Sequence, residues 1–232
     1  DLPFLIIICS SIHLSSIWPY PFLHNLKRIK GGLVATCLGD SGNFTYKKSR
    51  LGNAEIDLAS THVLQNSKTK HKILDFFPYG SDERQFCSPA FNLPVGSLMR
   101  TPYDMFDEYH TSGDNLSFMK KDCLADSFSK YVSVIKKLEE NYDGFKPRKK
   151  ILKNKKNKRN DPVFKNLFPK CEPQLGKHEI YENIGGVKKQ DSLKQKKAIQ
   201  WILNLSDGKH SLRDIEKKSG LEYSLLYVVA DL

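Results

Sequence analysis

Two stretches of the chain carry residue types that could do chemistry. The first is Asp40, which closes the run Gly31-Gly32-Leu33-Val34-Ala35-Thr36-Cys37-Leu38-Gly39. A short, nearly continuous apolar run ending in Gly-Asp reads as a strand buried on both faces, and open α/β sheets place their ligands at the carboxyl ends of such strands. Asp40 is therefore either a ligand-presenting carboxylate or a loop cap following Gly39. The second stretch is Tyr109-His110-Thr111-Ser112-Gly113-Asp114-Asn115, polar and glycine-containing, between an expected strand and an expected helix. His110 is there a candidate site residue or an ordinary exposed loop histidine. Cys87 with His110 could form a thiol–imidazole pair, but no orienting partner is evident and a buried structural thiol is the better reading. No P-loop or GxGxxG is present, and Gly31-Gly32 and Gly185-Gly186 read as turn glycines.

The elements that must position these residues alternate between strand and helix. Ile56, Ala59 and Val63 recur at i, i+3, i+7 and predict a helix, Lys72 to Phe77 returns to strand composition, and Leu93 to Met99 predicts a further strand. Phe128, Val132 and Ile135 mark the expected buried face of a helix from about Ala125 to Glu140, ending at Asp143-Gly144. Residues 1 to 26 keep no period beyond a first strand-like run and are left unplaced. The last forty residues read as helical throughout, over Leu193 to Leu205, Leu212 to Ser219 and Tyr223 to Asp231, with Asp207 and Ser211 as N-caps and Gly220 as a C-cap. This pattern predicts an α/β fold, with flanking helices on a parallel or mixed sheet and a small all-helical C-terminal part. The expected divisions are 1–30, 31–190 and 191–232.

With 232 residues, 39% of them hydrophobic, the chain can bury an ordinary core and is neither a disordered tail nor a fibrous protein. The formal charge is +11, but nine positive charges fall in the fourteen residues Lys146 to Arg159. That run reads as a solvated insertion, 146–160, and the basic balance says little about the folded part. Five widely spaced cysteines with no CxxC suit reduced thiols in a cytoplasm. The longest apolar run, Phe4 to Cys9, is far short of the roughly 18 residues of a membrane span. The chain begins at Asp1 with no basic segment ahead of that run, so the start reads as a cut end rather than a signal peptide.

Five ordered blocks carry a resemblance: GGLVATCLGD; YGSDERQFCSPAFNLPVGSLMR; EYHTSGDN; PKCEPQLG with IYENIGG; and WILNLSDGKHSLRDIEKKSGL. Together they resemble the bacterial aminopeptidase-like proteins that couple a zinc-aminopeptidase domain to a C-terminal winged-helix domain. The likeness spans about residues 27 to 143 and 164 to 231. It implies a partial zinc-aminopeptidase-like sheet followed by an incomplete winged helix. It also implies a hydrolase ancestry, with two zinc ions and a peptide or amide substrate in complete relatives. Asp40 matches the strand-end carboxylate that binds one zinc, and His110 the late histidine that binds the other. Asp114 could accept the second imidazole N–H of His110 or simply cap the next helix. Asp82, Glu83 and Arg84 fall in the block beside the site, where Arg84 could meet a carboxylate or substrate terminus, or the three could pair structurally.

The same pattern requires an early histidine, an aspartate bridging both metals and a catalytic glutamate ahead of the Asp40 strand. Before Asp40 stand only one acidic residue, Asp1, and the histidines His13 and His24. The chain therefore reads as the C-terminal portion of a truncated or decayed gene product, lacking peptidase competence of its own. The alternative is a non-catalytic module that contacts a protein or nucleic acid through the basic insertion and helical tail. The candidate recognition helix, EYSLLYVVADL, has no Lys or Arg, and the chain stops before a wing hairpin, which argues against DNA. Unpaired sheet edges are expected to make such a fragment poorly soluble.

Overall fold

A computed structural model describes residues 4–8, 29–140, 161–173, 175 and 189–231. The predicted end of the long helix at Asp143-Gly144, the basic insertion, His13 and His24 lie outside these residues. Contacts divide the chain into two units: Asp1–Phe76, Gly80–Phe86 and Leu93–Lys149 form the first, and Phe77–Tyr79, Cys87–Asn92 and Lys150–Leu232 the second.

The first unit is built on a five-stranded sheet. Its strands are β1 (Phe4–Ile8), β2 (Gly31–Ala35), β3 (Phe44–Lys47), β4 (His71–Leu74) and β5 (Val95–Met99), ordered β1-β2-β5-β3-β4. β1, β2 and β5 run parallel, β3 is antiparallel to β5, and β4 is parallel to β3. The mixed sheet is the one the alternating pattern predicts, and every residue of β2 is buried, as its uninterrupted apolar run requires. Helix α1 (Glu55–Gln65) buries Ile56, Ala59 and Leu64 on a core with Leu33, Phe44, Tyr46 and Leu98. A single turn, α2 (Glu83–Phe86), precedes β5, and α3 (Lys121–Glu140) follows the segment containing His110.

The face that α3 buries differs from the predicted one. Phe128 is 70% exposed, and the buried positions are Ser127, Tyr131, Val134 and Leu138. Hydroxyl groups decide this phase. Ser127 Oγ donates to the Leu38 carbonyl at 2.8 Å, and Tyr131 Oη reaches the carbonyls of Val34 and Leu98, so the helix satisfies backbone acceptors at the ends of β2 and β5. Strand β3 is an element the sequence reading does not include, and its last residue, Lys47, is wholly buried.

The second unit holds β6 (Val163–Lys165), α4 (Lys189–Leu205), β7 (Asp207–Ser211), α5 (Leu212–Ser219) and α6 (Tyr223–Ala230). The three expected helices are present. Between the first two, β7 pairs antiparallel with β6, a ribbon that the reading of this stretch as helical throughout omits. Asp207 does not cap a helix. Its carboxylate accepts the Lys209 and His210 amides at 3.0 and 3.2 Å and meets His210 Nδ1 at 3.0 Å, folding the start of β7. Ser211 does cap α5, accepting from Asp214 N while Asp214 accepts the Ser211 amide, and Gly220 ends that helix at φ 68°. Ala198, Trp201, Leu205, Leu212, Ile215 and Leu226 form its core. No helix among the described residues is long and apolar enough to cross a membrane.

Candidate functional site

Because β2 and β5 are parallel, their carboxyl ends leave the sheet on one side. The loop after β2 and the segment after β5 are joined there by Arg100 N donating to the Cys37 carbonyl at 2.9 Å and by Lys120 N donating to the Gly39 carbonyl at 2.8 Å. Between them lies a cleft of about 320 Å³ whose wall includes Asp40, Asp82, His110 and Asp114, together with Cys37 and Tyr103. Four of the six residues singled out from the sequence are thus gathered in one place.

Asp40 is 5% exposed and closely held. Its Oδ1 accepts the Gly42 amide at 2.7 Å and the Thr101 hydroxyl, and Oδ2 accepts the Thr101 amide at 3.3 Å. Oδ1 is saturated, whereas Oδ2 has a single long contact. Gly42 is required by this turn, since a Cβ there would collide with the Thr101 hydroxyl and lie 2.6 Å from Asp40 Oδ1. Arg100 ties the turn to α3: it donates to the Gly42 carbonyl at 2.9 Å, the Cys123 carbonyl at 3.2 Å, Ser127 Oγ at 3.0 Å and Asp126 Oδ2 at 2.7 Å.

His110 is exposed and sits at φ 58°, in the left-handed region, with its ring stacked 4.1 Å from that of Tyr109. Tyr109 meets Phe106 edge-on at 5.4 Å, and Phe106 stacks on Phe118 at 5.4 Å, so an aromatic cluster backs the imidazole. Asp114 lines the same cleft and is exposed, and among the described residues no hydrogen bond joins it to His110. Glu83 lies beneath the cleft, fully buried, with its Oε1 2.6 Å from Lys47 Nζ and its Oε2 3.5 Å from Tyr103 Oη. Tyr103 Oη also lies 3.0 Å from Ser97 Oγ, completing a polar floor. Gly80, at φ 126°, allows this packing, because a Cβ would stand 2.6 Å from the Tyr103 ring. Arg84 is half-buried on α2 and is not among the residues lining the cleft.

Burial, with Glu83 close by, pushes the Tyr103 phenol well above its usual range. Burial likewise raises the Cys37 thiol, reinforced by Asp40, Asp114 and Glu83 and opposed by a contact with Thr36 Oγ1. Cys37, Thr101 and Tyr103 were not singled out from the sequence. Cys37 could have been, since it stands three residues before Asp40 at the end of a buried strand. Cys87, by contrast, is fully buried, and its carbonyl accepts Asn204 Nδ2 at 3.2 Å.

Imidazole and carboxylate are the donor kinds that zinc takes. Their number falls short, because among the described residues no three His, Cys, Asp or Glu side chains gather to hold an ion. The residues therefore fit zinc in kind but do not complete a site.

A protein of Clostridium acetobutylicum, provisionally named for polysaccharide biosynthesis and an aminopeptidase-like domain, is 49% identical over 206 residues, which are 89% of this chain and 42% of that protein. A crystal structure from the same organism, provisionally titled a peptidase, matches with 45% identity and a TM-score of 0.51, covering 92% of this chain and 42% of that one. An aminopeptidase from Aneurinibacillus sp. strain AM-1 aligns at 15% identity and a TM-score of 0.45, over 54% of this chain and 30% of that one. The chain thus spans less than half the length of the curated relative it matches. Residues 162–232 match the winged helix-turn-helix family. Residues 6–141, more than half of the chain, match the family described as a domain of unknown function, DUF4910, and the chain belongs to that family.

Proposed function

We propose that the protein forms one wall of an aminopeptidase-like hydrolase cleft, with Asp40 and His110 as its share of a zinc donor set. The observation that carries this reading is their meeting at a single cleft beyond the carboxyl ends of two parallel strands, where α/β sheets place their ligands. Its peptidase-like relatives support a hydrolase-type fold. Zinc, when bound, would activate a water for attack on a peptide or amide carbonyl. This chain's own residues do the holding: Thr101 and the Gly42 amide fix the Asp40 carboxylate, while Tyr109 stacks on the His110 ring.

Two donors make a weak site, because catalytic zinc ordinarily has three protein ligands. The chain alone is accordingly a zinc binder of low affinity with no peptidase turnover. The test is zinc content by elemental analysis and zinc affinity by calorimetry, on the wild type and on His110→Ala. Weak binding that falls at least a further tenfold in the variant is the expected result. Affinity unchanged by the substitution would remove His110 from the site, and turnover of a leucine anilide by the chain alone would overturn the claim of incompleteness.

A further inference from the structure

Helix α3 is apolar on two faces, and the core of the first unit uses one of them. Tyr131, Val134 and Leu138 turn inward together with Ser127. The second row, Leu124, Phe128, Val132 and Ile135, recurs at i, i+4, i+8 and i+11 and lies outside that core. Leu124 is 43% exposed, Phe128 70%, and Val132 and Ile135 are partly exposed. Single exposed apolar side chains are ordinary, but four in one row, along about 17 Å of helix at 1.5 Å per residue, form a continuous contact surface. No residue of α3 lines the cleft.

Charges of opposite sign close this row. Lys121 and Glu139 are eighteen residues apart, five turns of 3.6, so they share one angular position, midway between those of Phe128 and Val132. Both are exposed, and each stands at the wrong pole for the helix dipole, which favours acids at the amino end and bases at the carboxyl end. The ion pairs on α3, Lys130–Asp126 at 3.7 Å and Lys137–Glu140 at 3.5 Å, leave both out.

That arrangement is complementary to itself. When two copies of α3 lie antiparallel about a two-fold axis level with residue 130, Phe128 of each copy faces Val132 of the other and Ala125 faces Ile135. Lys121 then meets Glu139 at both ends, and Leu124 comes against the alkyl stem of Lys136. A parallel pair would set Lys121 beside Lys121 and Glu139 beside Glu139. A foreign partner of one charge would satisfy only one end. Charge and symmetry together select a second copy of this chain.

We propose that the outer face of α3 is a homodimer interface, with two copies joined antiparallel through Phe128 and Val132 and clamped at the ends by Lys121 and Glu139. It goes beyond the reading of the cleft and does not depend on it. One helix pair is a small interface, in the class below about 1,200 Å² that gives weak, reversible association.

The test is sedimentation equilibrium of the whole chain from about 5 to about 500 μM, in about 50 mM salt so that the end pairs are little screened. The wild type is expected to pass reversibly from monomer to dimer across this range. Phe128→Asp should weaken association at least tenfold. Lys121→Glu alone and Glu139→Lys alone should each weaken it at least threefold, because each creates two like-charge contacts, and the two combined should return it to within twofold of wild type. A wild type that stays monomeric throughout, a dimer indifferent to Phe128→Asp, or a double exchange no better than the single ones would each overturn the proposal. Lys121 and Glu139 are exposed, so the charge exchange decides even if Phe128→Asp fails to fold.

Discussion

In the unit that carries the cleft, Lys47, Glu83, Asp57 and Asp82 are sealed inside, whereas the unit of α4, α5 and α6 closes over Trp201, Leu205, Leu212, Ile215 and Leu226. Apolar burial dominates such a helical core, with neutral polar groups such as Asn204 hydrogen-bonded within it. Ionised groups in an interior cost free energy to desolvate and stabilise little in return, so their presence points to a position being held. In the first unit Glu83 lies beneath Tyr103 and Asp82 in the cleft wall, whereas Asp57 is held by Tyr46, Ser49 and Ala54. The contrast is one of interiors: buried charged groups in the first unit, and among the described residues of the second only apolar and neutral polar ones.

The comparison breaks most sharply at the buried ion pair. Glu83→Gln removes the carboxylate that the buried Lys47 ammonium meets at 2.6 Å and is expected to cost about 3–5 kcal/mol, read from the urea unfolding of the first unit. Lys47→Met combined with Glu83→Leu should recover most of that loss, because the pair then contributes position rather than net stability. If Glu83→Gln costs no more than an exposed substitution, the polar interior has no positional role. In the second unit, Ser211→Ala removes the reciprocal cap with Asp214 and should cost about 1 kcal/mol, measurable in the thermal transition of the helices. A smaller effect reports on the electrostatics of the cleft. The Cys37 thiol is pushed up by burial and by neighbouring carboxylates, so in the folded chain it should react with iodoacetamide several-fold more slowly at pH 8 than in urea, its rate rising with a midpoint above the ordinary thiol value of about 8.5. The sign follows from linkage: the protonated thiol's contribution to stability is complete below that ordinary value and is lost as pH rises through the raised one. Equal rates in the folded and unfolded chain would deny that the cleft is acidic and partly closed.

Features that depend on local chemistry were legible in the sequence. The double burial of β2 shows in its unbroken apolar run, and Ser211 and Gly220 announce the ends of α5 by type alone. Features that depend on partners far along the chain were not. Thr101 holds Asp40 from 61 residues away and Lys47 meets Glu83 across 36, so neither contact shows in local spacing. The α3 face was misread for a related reason: Ser127 and Tyr131 are buried for their hydroxyls, which an apolar period overlooks. Asp82 could be singled out by its block, but its lack of a hydrogen-bond partner among the described residues shows only in the fold.

Arg100 has a consequence in time as well as in space. Its guanidinium joins the Asp40 turn, through the Gly42 carbonyl, to three groups on α3. Opening that wall means releasing those four bonds together with the helix, so it belongs to slow, sub-global events rather than to loop fluctuation. Amides of the Asp40 turn should therefore exchange with solvent at the pace of α3 itself, and a ligand entering this cleft meets one wall that is already set.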